Sequence, residues 1–194
     1  MARPSLKTQR SHEILAAFAA CVARYGLEGA TQERVAAEAG VKRTLLRHYL
    51  GNRDEMIDAL IDHVAADFDA QTEAMLAALP ATGRVPALLD LLFDWQRPSD
   101  GDRVMTYQAL VTAAERLPRA GQAMAAGTEH FAAALRRELA MAHPGAPDEA
   151  VTAATLGLMA LAFNAEALAP LDLPESWASA TRRAADSLVA TLEV

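Results

Sequence analysis

The segment that most restricts how this chain can fold is residues 31–53, TQERVAAEAGVKRTLLRHYLGNR. Two short helical stretches lie either side of Gly40. Two helices that cross at close range need a small residue at the contact, and Ala36 supplies it. Four positions later the turn needs a residue that tolerates positive φ, and Gly40 supplies that. Val35, Ala39, Val41, Leu46 and Tyr49 are spaced to pin both helices onto a preceding one. The opposite side of the second helix offers hydrogen-bond donors: Lys42, Arg43, Thr44, Arg47 and His48. These requirements meet in one ungapped window and predict a helix-turn-helix whose second helix presents a cationic face.

The flanking sequence supports that reading. Residues 7–25 place Ile14, Leu15, Phe18, Val22 and Tyr25 at helical spacing, with Gly26 and Gly29 closing the run. Thr31 is the expected N-cap of the next helix, which stops at Gly40. A third helix fits residues 43–49. Asn52 is the expected cap of a long fourth helix whose first turn holds Asp54 and Glu55, where the dipole favours carboxylates. Proline and glycine then mark off helices at residues 84–96, 102–117, 119–142, 148–168 and 175–192. The predicted fold is all-α with about nine helices. Residues 1–52 form a three-helix helix-turn-helix domain, and residues 53–194 form a larger helical domain.

Composition agrees. The chain has 194 residues, 52% of them apolar, enough for a substantial core. Net charge is −7, ill-suited at first sight to a polyanion partner. Residues 1–53, however, carry nine Lys/Arg against four Asp/Glu, a surplus of +5, and residues 54–194 carry −12. A basic head on an acidic body implies that the head alone meets a polyanion. Cys21 is the one cysteine, so no internal disulfide forms. With no run of 18 apolar residues and no secretory core, the expectation is a cytoplasmic chain with no membrane contact. Arginine outnumbers lysine sixteen to two, in keeping with a GC-rich genome.

The motif residues resemble the TetR family of bacterial regulators. Thr31, Ala39-Gly40-Val41, Arg47-His48-Tyr49-Leu50 and Arg53 match its helix-turn-helix without gaps over residues 6–60. The sequence departs from the family pattern at Thr44, Arg47 and Leu50. The resemblance implies a homodimer on a palindromic double-stranded DNA operator, most often repressing transcription until a small molecule releases it. It implies DNA contacts by Thr31, Lys42, Arg43, Thr44, Arg47, His48, Tyr49 and Arg53. Lys42, Arg43 and Thr44 would meet base edges, with Arg43 bidentate on guanine, and Thr31 and Arg53 would attract phosphate at helix N-termini. Tyr49 has a second reading as a core residue. Arg3, Lys7 and Arg10 are candidates for an arm along the duplex.

In the C-terminal domain the resemblance implies an effector pocket, for which Phe93, Trp95, Met105, Tyr107, Met124, Phe131, Met159 and Phe163 are the apolar candidates. Each has core packing as its plainer reading. Asn164, Glu166 and His130 are candidate polar partners. Leu156, Ala160, Phe163, Trp177 and Leu188, within longer stripes that include Ala153, Ala184 and Leu192, are the expected dimer interface. The chain offers no catalytic residues, no cofactor motif and no metal set; His63 and Asp67, spaced i, i+4, read as a surface pair. Two rival functions are a helical-bundle enzyme and a DNA-binding protein whose C-terminal domain binds another protein.

Overall fold

A computed structural model describes residues 6–94, 101–171 and 173–193. Among these residues there are helices, turns and no strand: α1 (Leu6–Gly29), α2 (Gln32–Glu38), α3 (Arg43–Leu50), α4 (Arg53–Ala78), α5 (Arg84–Leu92), α6 (Gly101–Thr112), α7 (Pro118–Ala142), α8 (Asp148–Leu168) and α9 (Glu175–Ala190). A 3₁₀ turn, Ala169–Leu171, follows α8. The all-α expectation holds. α1 extends past its expected end, but its backbone breaks at Gly26, with φ of 69°. α5 stops at Leu92, short of residue 96, because Phe93 leaves the helical region at φ −120°. Arg3 and Trp95 lie outside the described residues.

The chain packs as two compact units. One comprises Met1–Asp67 and Asp102–Ala126, the other Phe68–Gly101 and Gly127–Val194. This grouping differs from the expected division after residue 52. The helix-turn-helix shares its core with later helices: Ile14, Phe18, Cys21 and Val22 of α1 pack with Val35, Leu46, Leu50, Met56, Leu60, Leu110 and Met124. Thr106, fully buried, sits 2.9 Å from the Ala19 carbonyl oxygen. Arg119 donates to the Asp62 carboxylate at 2.7 and 2.8 Å. Cys21 is inside this core, and burial raises its thiol pKa. Tyr25, expected in the apolar stripe, is half exposed beneath the Arg34 guanidinium, 4.4 Å from the ring centroid. His63 meets the His12 ring edge-on at 5.3 Å, and burial lowers its pKa.

In the second unit Leu88, Phe93, Phe131, Leu135, Leu139, Leu158 and Leu192 make the core. The rings of Phe68, Phe131 and Phe163 lie 6.0–6.3 Å apart, with Phe131 inside the core and the other two packed against it. Glu138 is 98% buried there as a charge, made tolerable by two Arg84 N–H donors at 2.7 and 2.9 Å, which hold its pKa down. α8 with its 3₁₀ extension is long and apolar enough, by length and composition, to cross a membrane, at mean hydropathy 1.4. The expectation of no such helix is corrected to that extent: polar residues scattered through α8 interrupt the apolar run, but its mean stays high. Its Val151, Ala154, Leu158 and Ala162 pack into the unit's core, and 33% of the apolar stretch is buried. α8 and α9 approach so closely that a Cβ on Gly157 would stand 2.8 Å from Leu188 Cδ1.

Local chemistry fixes the turns that place α3. Val41 N–H donates to Ala36 O and Gly40 N–H to Ala37 O, the paired bonds of a Schellman motif, with Gly40 at φ 62°. Asn52 Oδ1 accepts from the N–H groups of Asp54 and Glu55, while Glu55 Oε2 accepts from Asn52 N–H at 2.7 Å. This reciprocal capping box starts α4 as expected.

The packing can be tested at two places. Gly51 has φ 80° and ψ −148°, and a Cβ there would collide with the Glu55 carboxylate of the capping box. Gly51→Ala should cost about 1–3 kcal/mol, read as a lower urea midpoint at unchanged m. His130 bridges Asp69 at 3.0 Å and Glu73 at 3.1 Å, and the Asp69 hydrogen bond leads in raising its pKa above the ordinary 6.5. The cluster therefore stabilises the fold fully below the ordinary value, and loses that contribution as pH climbs through the raised one. His130→Gln should lower Tm more at about pH 5.5 than at about pH 8.5 in thermal melts.

Candidate nucleic-acid interface

α3 is short and strongly two-sided. Leu46 and Leu50 are buried against α1, and Tyr49 is partly buried beside them. At about 100° per residue this fixes the opposite side. Thr44 and His48 stand at its centre, with Leu45 on the Tyr49 flank and Arg47 on the other, and Lys42 precedes the helix; all are exposed. Lys42 is the N-cap residue and makes no side-chain cap bond, so its ammonium is not committed to the helix. Arg47 and His48 occupy the last turn, where the helix dipole favours positive charge. The His48 and Tyr49 rings meet edge-on at 5.3 Å.

The expected DNA-contacting residues are thus placed in different ways. Lys42, Thr44, Arg47 and His48 share an open face. Arg43 is exposed but occupied: it pairs with Glu33 at 2.6 Å, and its Nε donates to Gln32 at 3.2 Å. A pair this exposed is worth at most about 1 kcal/mol, so a better anion displaces Glu33 readily. Thr31 is exposed and caps α2 by accepting from Arg34 N–H at 3.3 Å.

Arg53 takes a different place from the one expected of a phosphate ligand. Its guanidinium turns inward and donates to Ala30 O at 2.7 Å and Leu27 O at 2.5 Å, lying 5.2 Å from the Phe18 ring centroid. Burial lowers its pKa. It ties the start of α4 to the carbonyls left open where α1 ends. No spacing rule reveals those carbonyls, so sequence reasoning misses them. It also passes over Leu45, which the helical wheel places outward once Leu46 and Leu50 are assigned inward.

The effector candidates divide between the units. Met105, Tyr107 and Met124 belong to the first, where Tyr107 Oη donates to Met124 O at 3.1 Å. Phe93, Phe131, Met159 and Phe163 belong to the second, and all but Phe163 are buried. A groove of about 570 Å³ opens in the second unit and is lined by other residues, among them Val85, Leu89, Glu138, Met141 and Arg182. Of the interface candidates, Leu156 and Trp177 are each 57% exposed and Ala160 is exposed. Phe163 of α8 and Leu188 of α9 pack partly into their own unit, and Leu192, past the end of α9, does so fully. Among the described residues, no three His, Cys, Asp or Glu side chains converge as a metal set.

No family profile matches the chain. It is 29% identical over 109 residues to the nucleoid occlusion factor SlmA of Pasteurella multocida, covering 55% of each chain. It is 31% identical over 88 residues to SlmA of Haemophilus influenzae, covering 44% of this chain and 40% of that one. The chain thus matches about half the length, or less, of these curated relatives. Among solved structures it is similar to a TetR-family transcriptional regulator from Streptomyces coelicolor, with TM-score 0.73 and 22% identity, covering 96% of this chain and 97% of that one. It is also similar to a TetR transcription regulator from Haloarcula marismortui, with TM-score 0.71 and 17% identity, covering 94% and 97%. With the helix-turn-helix geometry above, these likenesses establish that the chain has the all-helical fold of the TetR-family transcriptional regulators.

Proposed function

We propose that this protein is a cytoplasmic, homodimeric DNA-binding regulator, most simply a repressor, that leaves its palindromic operator when a small apolar effector binds. The observation that carries the reading is the face of α3. Its apolar side is locked into a core by Leu46 and Leu50, and Lys42, Thr44, Arg47 and His48 stand outward. A helix of this size fits the major groove, where donors at its N-terminal end reach base edges and flanking cations meet phosphate.

One such helix offers too little contact for a unique site, so two copies are needed. Ala153, Leu156 and Ala160 on α8, with Trp177, Ala180 and Ala184 on α9, form an exposed apolar surface within the second unit. Small residues flanking a tryptophan and a leucine suit a four-helix contact with a symmetry mate. Coupling between effector and DNA would take the usual form, a population shift worth about 5–150-fold in DNA affinity.

A second reading has the C-terminal unit engage a protein partner. The burial of Phe93, Phe131 and Met159 in that unit's core, with Leu156 and Trp177 left exposed, favours it. Titrating the purified protein on its operator with a library of small apolar compounds separates the two. Release by a compound supports the first reading; release only by a protein supports the second.

Two further outcomes are expected. Arg43→Ala and Arg47→Ala should each weaken operator binding at moderate salt while the far-UV circular dichroism stays unchanged. Where the arginine meets a phosphate, its removal should also flatten the salt dependence of log K by about one unit. Trp177→Glu with Leu156→Glu should shift the protein from the mass of two chains to that of one in analytical ultracentrifugation, and operator affinity should fall with it.

A further inference from the structure

Leu45 is the apolar residue on the outward side of α3, on the flank between His48 and the partly buried Tyr49. It is 44% exposed, with Thr44 before it and His48 one turn on, both exposed. Its neighbour Leu46 is fully buried, so the helix phase that seats the core also holds Leu45 outward. A helix inserted in the major groove would carry this side chain against the base edges.

Base edges in that groove are of two kinds. Guanine, adenine and cytosine present acceptors and donors, and covering these with a leucine strips water without replacing its hydrogen bonds. Thymine, beside its O4 acceptor, also presents a C5-methyl group, and that methyl loses nothing by meeting an alkyl chain. We propose that Leu45 is a specificity residue that reads a pyrimidine C5-methyl group in each operator half-site. This deepens the proposed function and rests on it. Thymine and 5-methylcytosine carry the same group at the same place, so the chemistry is shared and the experiment tells them apart.

The test begins with selection of bound duplexes from a randomised pool, using the full-length wild-type protein. Each thymine of the selected duplex is then replaced by deoxyuridine, which removes only the methyl. At one position per half-site the replacement should weaken wild-type binding about fourfold, the worth of one buried methyl-sized group. Leu45→Ala should bind the thymine and deoxyuridine duplexes equally. At that position 5-methylcytosine paired with guanine should bind better than cytosine paired with guanine. The tighter of the thymine and 5-methylcytosine duplexes identifies the natural source. If no deoxyuridine replacement weakens binding, or if Leu45→Ala keeps the full penalty, the assignment to Leu45 is overturned while the DNA-binding reading stands. If selection enriches no duplex, both fall.

Discussion

The packing of Ile14, Phe18 and Val22 against Leu46 and Leu50 decides everything downstream of it. α3 has only two turns, too few to hold its shape in water without tertiary support. Burying its two leucines stabilises the helix and fixes its rotation at once. The rotation, more than the helix itself, creates the cationic face. Arg53 reinforces it from the other side, because its bonds to Leu27 O and Ala30 O fasten the start of α4 to the end of α1. α3 is thereby clamped at its C-terminal end by the Gly51–Asn52 turn and at its N-terminal end by the Schellman turn at Gly40.

The second unit solves a different problem. Its core takes in a carboxylate, Glu138, and neutralises it with a two-pronged Arg84 contact. Charged pairs of this kind give orientation rather than net stability, since desolvation consumes much of the attraction. Stability there comes from the leucine and phenylalanine cluster, and from the close α8–α9 crossing that Gly157 allows. Beside that crossing Leu188 of α9, and Leu192 just past its end, turn inward, while Trp177, Ala180 and Ala184 stay exposed.

Much of the fold is legible in the sequence where a short-range rule governs. The Thr31 cap, the positive φ at Gly40 and the Asn52 cap each depend on residues within four positions, and each is in place. Leu46 follows from helical period, and Leu50 lies four residues on along the same face. What is not legible depends on partners far along the chain. Arg53 has the sequence signature of a phosphate ligand because its two carbonyl acceptors lie 23 and 26 residues away. Arg43 has that of an open side chain because its pairing with Glu33 crosses from α3 to α2. Periodicity places Leu188 and Leu192 on the same stripe as Trp177, although only tertiary packing says which side of α9 is covered. The effector candidates rest on residue type, and type does not distinguish which compact unit a side chain enters.

If the protein works as proposed, the outward side of α3 lies in a DNA groove, twice per assembly. Site-directed cleavage examines that placement without intermediaries, and the chain is suited to it because its one thiol, Cys21, is buried. An iron chelate attached through Thr44→Cys should cut a selected duplex in two clusters centred about one helical turn, roughly 10 base pairs, or a multiple of that apart, with the strand offset of major-groove attack. Cleavage in a single cluster, or spread evenly along the duplex, would show that α3 does not sit there.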